Sequence, residues 1–319
     1  MKLAEEKGAS ASGQIVLIHL GEVHVKEPTG QVTPCRVKGA LKNRASRREV
    51  HAVAVGDFVR FRREKDGTGL IEEVKPRRSF LGRSDPRRVL AANIDQMVIV
   101  VSLQKPRYKL GLIDRYLVAA NVGHVPPVLV VNKTDLGPER GIEHLREVYG
   151  GLDLPVIPVS AATGEGLDQF KKHLEGRLTV LVGHSGVGKS SLINALNPVL
   201  DLPVGEVSGS TEKGRHTTTW IRLIEVLPGT RIIDSAGIRE FKPSDLKIDD
   251  LVYHFPEMIA FIDRCRFRNC THRKEEGCAV RDAVERGEIS QARFLSYQRI
   301  FDELNATDAR LNPGTGNPY

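Results

Sequence analysis

Apolar and polar positions alternate, in part, from residue 13 to about residue 80. Gln14 to Val25 reads as strand, with turns marked at Gly30 and Gly39. Val53 to Phe61 reads as a turn leading into a strand, and the Gly67 to Gly69 turn precedes another at Leu70 to Val74. A period of two is the signature of strands with one buried face. Five short strands among basic loops predict a small barrel. An oligonucleotide-binding (OB) barrel is the first reading and an SH3-like barrel the alternative.

From about residue 91 the rhythm changes. Met97 to Ser102, Pro127 to Val131, Leu154 to Val159 and Leu178 to Val182 are apolar on both faces. Ile221 to Val226 and Arg231 to Ile233 add two more strands. Helical periodicity fills the intervals at Leu110 to Val122, Pro138 to Tyr149, Leu167 to Leu174 and Lys189 to Leu196. Strands without alternation, separated by helices, predict an α/β domain whose mostly parallel sheet is covered on both faces. After residue 240 strand signal fades. Helices are predicted at Asp249 to Phe261 and Ser290 to Leu304, and the turn-rich residues 312–319 read as a loose tail.

The chain has 319 residues and a net charge of +7. Its basic residues cluster at Lys42 to Arg48, Arg60 to Lys65, Lys75 to Arg88 and Arg264 to Lys274. Each cluster alone reads as a solvated face. Four of them beside a nucleotide loop point to an RNA-bearing partner. No apolar run reaches the length of about 18 residues that marks a membrane-spanning helix. The first residues lack the apolar core of a secretion signal. A cytoplasmic monomer without membrane or DNA partners is the expectation.

Gly183 to Ser190 reads GHSGVGKS, which fits G-x-x-x-x-G-K-S between a predicted strand and helix. Glycines let the backbone N–H groups of Ser185, Gly186, Val187 and Gly188 curl around phosphate oxygens. Lys189 reaches the outer phosphates, the Ser190 hydroxyl ligates Mg²⁺, and Ser191 continues the helix start. This loop binds ATP or GTP alike. Asn132-Lys133-Thr134-Asp135, at the end of an upstream strand, selects between them. A carboxylate at Asp135 accepts from the N1–H and exocyclic amine of guanine, which adenine lacks. Lys133 lays its stem along the ring, and Asn132 reaches the base edge and ties down neighbouring loops. Ser160 and Ala161 follow the next strand as a second base-contacting loop. Asp234 and Gly237 bracket Asp-Ser-Ala-Gly after the last strand, placing a carboxylate for Mg²⁺ and an N–H for the γ-phosphate. Thr217 and Thr218, in a threonine run, are candidates to close over Mg²⁺, with Thr218 favoured.

All parts of a GTPase are therefore present, but the base motif precedes the phosphate loop. Such a permutation moves chain ends between surface loops and leaves the packed sheet intact. Ile238 stands directly after Gly237, where many GTPases place a water-orienting glutamine, and isoleucine has no hydrogen bond to offer. Slow turnover alone, raised by a partner, is expected. His216 is the nearest stand-in for orienting water, and the alternatives for it are an exposed loop histidine or an RNA contact.

Cys265-x₄-Cys270-x-His272-x₅-Cys278 supplies three thiolates and one imidazole. That is a complete tetrahedral set for one structural Zn²⁺, with no position left for water. The domain reading is a flexible tail at 1–12, an OB barrel at 13–82, a permuted GTPase domain at 83–240 and a mostly helical zinc-binding domain at 241–319.

This combination resembles the RsgA (YjeQ) family of circularly permuted GTPases over almost the whole chain. The resemblance implies GTP/GDP as ligand, weak hydrolysis stimulated by the small ribosomal subunit, and contact with 16S ribosomal RNA near the decoding region. It implies late subunit maturation with release after hydrolysis. On this likeness Asn132, Lys133 and Asp135 match the guanine motif, Ser160 and Ala161 its second loop, and Gly183 to Ser190 the phosphate loop. Thr217 and Thr218 match switch one, His216 a histidine implicated in hydrolysis, and the three cysteines with His272 the zinc ligands. Ala236 departs from the family's usual proline and leaves φ free there. A GTPase switch that recruits proteins away from the ribosome is the alternative function.

Overall fold

In the computed structural model, residues 9–19, 21–39, 53–82, 89–203, 221–235 and 246–311 are described. The alternating N-terminal segment forms β1 (Ser10–His19), β2 (Glu22–Lys26), β3 (Val32–Val37), β4 (Phe58–Arg63) and β5 (Gly69–Val74). They pair in the order β1-β2-β3-β5-β4, and β4 returns to β1 to close a barrel. β3 and β5 run parallel, with Cys35 opposite Gly69. This five-stranded closed order is OB-like. Ile15, Val25, Val59, Phe61 and Ile71 fill its interior.

β1 begins inside the stretch read as a flexible tail. Ser10, Ala11 and Ser12 pair with Arg62, Phe61 and Arg60. Closure requires one strand long enough to serve both β2 and β4, so these small polar residues are used for backbone pairing. Gly13 is where β1 crosses closest to its neighbour: a Cβ there would lie 2.5 Å from the Lys26 carbonyl oxygen.

A two-stranded ribbon follows, β6 (Phe80–Gly82) with β7 (Val89–Ala92). It packs between the barrel and the next domain, and the Phe80 N–H donates to the Gly123 carbonyl. The barrel is latched to this connection by a fork in which Arg77 Nε and Nη2 donate to Asp57 Oδ1 and Oδ2 at 2.7 and 2.8 Å.

The α/β region contains β8 (Gln96–Ser102), α1 (Leu110–Val122), β9 (Pro127–Asn132), α2 (Arg140–Tyr149), β10 (Val156–Pro158), α3 (Leu167–Leu174), β11 (Leu178–Val182), α4 (Lys189–Leu196), β12 (Ile221–Leu227) and β13 (Thr230–Ser235). The sheet order is β10-β9-β8-β11-β13-β12, parallel except for β12. Met97, Ile99 and Val101 of β8 enter one core, and Val98 and Val100 enter the core on the opposite face. This two-sided burial is why the strands read as continuous apolar runs.

The sheet does not end at β12. Leu17 and Ile18 of β1 pair antiparallel with Arg222 and Ile221. Beside that junction Arg231 Nη1 donates to Gln14 Oε1 at 2.7 Å. Barrel and α/β region thus share one eleven-stranded sheet.

The C-terminal region holds α5 (Pro256–Ile262), α6 (Ala279–Glu285) and α7 (Gln291–Leu311). The helix predicted over Asp249 to Phe261 is split into a 3-10 turn, Ile248–His254, and α5. Pro256 explains the break. It disfavours helical geometry at Phe255, which sits at φ −119° and ψ 84°, and it suits the first position of a new helix. The apolar core of this region is continuous with one face of the α/β sheet.

Candidate functional site: a nucleotide pocket and a metal centre

β11 is central in the α/β sheet, and its C-terminal end delivers the phosphate loop. Gly183 has φ 145°, and a Cβ would lie 2.2 Å from the Val100 carbonyl oxygen of β8. Gly188 has φ 94°, and a Cβ would strike Asn132 Nδ2 at 2.3 Å. Both positions exclude any side chain. Val187 is buried and anchors the loop in the core, while Ser185 and Gly186 are exposed at its mouth. Lys189 and Ser190 open α4. Lys189 Nζ donates to the carbonyls of Gly183 and His184 at 2.8 and 3.0 Å, which holds its charge across the loop.

The guanine motif ends β9, one strand beyond β8. Asn132 is buried there. Its Nδ2 donates to the Val187 carbonyl at 2.8 Å, and its Oδ1 accepts from the Ala161 N–H at 3.1 Å. One amide therefore joins the phosphate loop to the second base loop, and this tie is the role the geometry gives it. Lys133 adopts φ 62°, which turns the chain into a short 3-10 segment carrying Asp135. Lys133 Nζ donates to the Gly186 carbonyl at 2.7 Å and to the Lys105 carbonyl at 2.5 Å. Ser160, fully buried, donates to Asp135 Oδ1 at 2.6 Å. One carboxylate oxygen is thus held, and the exposed Asp135 keeps its other oxygen for a ligand.

Asn132, Lys133, Asp135, Ser160, Ala161 and the loop Gly183 to Ser191 are therefore gathered at the C-terminal ends of the parallel strands, although the chain separates them. Asp234 lies on β13 next to Ile233, which pairs with Val180 of β11. A hydroxyl at Ser190 and a carboxylate at Asp234 are hard oxygen donors of the kind Mg²⁺ takes. His216, Thr217, Thr218, Ala236, Gly237 and Ile238 lie outside the described residues.

The loop between β8 and α1 escaped the reading of the sequence. It is held by Ser102 Oγ donating to the Pro106 carbonyl at 2.6 Å, and it presents the Lys105 carbonyl to Lys133. Its only signal is a proline shortly after an apolar strand, which marks a turn without naming its partner.

Cys265, Cys270, His272 and Cys278 converge between α5 and α6, with ligand atoms within 4.8 Å of one another. His272 Nδ1 is 3.5 Å from both Cys265 Sγ and Cys278 Sγ. A tetrahedron built on Zn–S of about 2.3 Å and Zn–N of about 2.0–2.1 Å has N···S edges of about 3.5 Å. The donors fit Zn²⁺ in type, number and spacing. Burial pushes the Cys270 and Cys278 thiols up, so a cation is needed to hold them as thiolates. A bound zinc supplies structural cross-linking of this region.

Glu275 organises the metal loop. It accepts from the Thr271 N–H and Oγ1, the Arg273 N–H and the Lys274 N–H. Burial alone raises such a carboxyl, but these hydrogen bonds outweigh it and hold the group at about 2. Replacing Glu275 with Ala leaves four donors without their acceptor around His272. We expect zinc transfer to a chromogenic chelator to accelerate, with affinity falling about 10- to 100-fold, the range for groups that orient metal ligands. Unchanged release kinetics would remove Glu275 from that role.

The arginines of the basic run at Arg60 to Lys65 are paired with glutamates of the barrel while remaining partly exposed. Arg60 pairs with Glu73 at 2.9 Å, Arg62 with Glu72 at 3.4 Å, and Arg63 with the buried Glu27 at 2.6 Å. Residues 42–48 and 83–88 lie outside the described residues.

A phosphate loop on the central strand, with a guanine motif on a flanking strand that precedes it in the chain, defines a circularly permuted P-loop GTPase. The OB-like barrel before it and the Cys₃His centre after it narrow the class further. The chain belongs to the RsgA GTPase family, whose model matches residues 74–244. It is 42% identical over 308 residues to the small ribosomal subunit biogenesis GTPase RsgA of Pseudomonas aeruginosa, covering 94% of this chain and 88% of that relative. The corresponding protein of Bacteroides fragilis is 38% identical over 287 residues, covering 88% and 92%. Among solved structures, YjeQ from Thermotoga maritima matches with a TM-score of 0.74 at 32% identity, over 93% of this chain and 99% of its own. YloQ, described as a circularly permuted GTPase, matches with a TM-score of 0.70 at 28% identity, over 96% and 98%.

Proposed function

We propose that this GTPase acts in late maturation of the small ribosomal subunit, binding 16S ribosomal RNA near the decoding region and leaving after hydrolysis. The observation that carries this is the near full-length similarity to relatives named for small-subunit biogenesis. A net charge of +7 supports a polyanionic partner. We place the work in the cytoplasm and assign it to a monomer. No helix among the described residues is long and apolar enough to cross a membrane.

In this reading Asp135 and Lys133 hold guanine, with Ser160 and Ala161 closing the base loop. Ser185 to Ser191 and Lys189 bind the phosphates. Ser190, Thr218 and Asp234 hold Mg²⁺, which when bound neutralises charge on the phosphate oxygens. Thr217 and Gly237 belong to the two switches, and His216 orients the attacking water in place of the glutamine that Ile238 replaces. The barrel at 13–82, the GTPase domain at 83–240 and the zinc domain at 241–319 are the working units.

Hydrolysis measured with purified small subunits, with large subunits and alone is the test. Stimulation by small subunits only, weakening as salt displaces phosphate contacts, is expected. Equal rates in all three arms would favour a switch that recruits proteins elsewhere.

A further inference from the structure

We propose that the metal loop carries a single-stranded RNA-stacking surface, in which an unpaired nucleobase packs on Phe267 while Arg264, Arg266, Arg268 and Lys274 face the flanking phosphates. This rests on reading the chain as an RNA-bound small-subunit factor, and it names the RNA form and the residues that meet it.

Phe267 is 45% exposed, as Phe58 and Tyr253 are to a similar extent. A single exposed aromatic needs no explanation. This one has cationic company. The Arg266 guanidinium lies 5.4 Å from the Phe267 ring centroid, and the Arg264 guanidinium lies 5.5 Å from that of Phe261. Two arginine–aromatic contacts therefore follow one another, one reaching back to the end of α5 and one within the metal loop, with both arginines exposed. Layers of this kind extend naturally by one more flat, electron-rich ring.

The ring is also held in place. Cys265 and Cys270, both in the metal set, flank it in sequence. The Cys270 N–H donates to the Phe267 carbonyl at 3.2 Å, and the Arg266 N–H donates to the Gly277 carbonyl at 3.0 Å. Little conformational freedom remains to be lost when a base docks.

Charge selects the partner. Glu275 is turned onto the loop's own N–H groups, and Arg273 is tied to Asp302 of α7 at 2.5 Å. Among the described residues Arg266 has only the highly exposed Glu276, at 3.6 Å. Arg268 and Lys274 have no carboxylate within ion-pair distance among the described residues, and Arg264 has Glu288 in its neighbourhood but beyond that distance. The contrast with β4, whose arginines are each paired to glutamate, locates available positive charge on the metal loop. An apolar protein groove would not complement Phe267, because Arg266, Arg268 and Asn269 surround it in sequence. A duplex hides its base faces, whereas an unpaired base offers one.

The test uses the full-length, zinc-loaded chain with Phe267→Ala and Phe267→Trp, metal content being measured in each. Binding is followed for small subunits by co-sedimentation, and for a short single-stranded RNA, a duplex of equal length and poly-glutamate by competition. Phe267→Ala is expected to weaken single-strand and subunit binding by about fivefold or more, the lower bound for losing one base–aromatic stack. Phe267→Trp is expected to restore binding and to change its fluorescence on adding single-stranded RNA, over the signal of the parent's Trp220. Duplex and poly-glutamate should compete poorly. Parent-like single-strand and subunit binding by zinc-replete Phe267→Ala overturns the proposal. Equal competition by poly-glutamate also overturns it, and assigns the face to an acidic protein. A parent that binds the oligonucleotide through Phe267 but ignores small subunits keeps the stacking surface and removes the ribosomal reading instead.

Discussion

Changing Asp135 to Asn is expected to abolish productive GTP binding and to create affinity for xanthosine triphosphate. In the proposed reading a carboxylate here accepts two hydrogen bonds from guanine, and hydrogen bonds to a charged group are worth about 1.5–3 kcal/mol each. Losing both costs between about 10²- and 10⁴-fold in affinity. The Ser160 contact dictates how the amide settles. Ser160 Oγ donates to Asp135 Oδ1 at 2.6 Å, so an asparagine would keep its oxygen toward Ser160. Its NH₂ would then face the base, where it repels the guanine amine and donates to the 2-carbonyl of xanthine. Displacement of a fluorescent nucleotide by GTP, ATP and xanthosine triphosphate reads this directly. A variant that keeps parental GTP affinity would show that Asp135 does not read the base.

The second large effect concerns Arg293 of α7, which is 1% exposed. Its Nη1 donates to Asp114 of α1 at 2.7 Å and its Nε to Glu257 of α5 at 2.7 Å. The guanidinium stacks on Phe255 with its carbon 4.6 Å from the ring centroid. Tyr149 of α2 adds a hydrogen bond to Asp114. One side chain therefore clamps the metal-binding region to two helices of the GTPase domain. Arg293→Ala strands a fully buried Asp114, and removing one partner of a buried pair costs about 3–5 kcal/mol. Denaturation midpoints should fall accordingly, while Arg293→Met combined with Asp114→Asn and Glu257→Gln, which leaves neither buried carboxylate charged, should recover most of the loss.

The pH dependence of this loss has a definite sign. Burial pushes the Asp114 carboxyl up, and Arg293 pulls it down. Burial already leaves the carboxyl raised, and without Arg293 it rises further, so the folded variant binds a proton more tightly than the unfolded chain does. Its stability is then fullest below the ordinary carboxylate range and is lost as pH rises through the raised value. The deficit of Arg293→Ala should be smaller at pH 5 than at pH 8. An equal deficit at both would mean that Asp114 is not the stranded charge.

This clamp bears on how the GTPase domain meets the metal-binding region. Gly237 and Ile238 lead toward the zinc ligands along the chain, which invites the idea that nucleotide state swings the C-terminal region on a short link. The buried Arg293 cluster and the shared apolar core instead join that region to α1 and α2.

The nucleotide site was legible because its chemistry restricts residue types. Gly183 and Gly188 tolerate no Cβ against Val100 and Asn132, and a carboxylate is the group that can accept both guanine donors. Helices such as Leu110–Val122 were legible from periodicity, with both ends as predicted. What escaped depends on partners far away in the chain. That Asn132 ties loops is readable from the motif, but its partners Val187 and Ala161 are not. Ser10 to Ser12 look like a tail until β4 returns to pair with them. The β6–β7 ribbon lies in a basic, turn-prone stretch with no alternation to betray it. Arg60, Arg62 and Arg63 look like an RNA surface until Glu73, Glu72 and Glu27 come to meet them.

The continuous sheet has a consequence for anyone who isolates the GTPase domain. A strand at the margin of a sheet offers unpaired N–H and C=O groups to any passing chain. On β12 that margin is partly occupied by Leu17 and Ile18. Cutting away the first eighty residues to study hydrolysis alone would bare it, just downstream of the threonines assigned to switch one. A truncated protein that dimerises or aggregates would then reflect an uninsulated sheet. The barrel is the end-stop of the nucleotide domain as well as its neighbour.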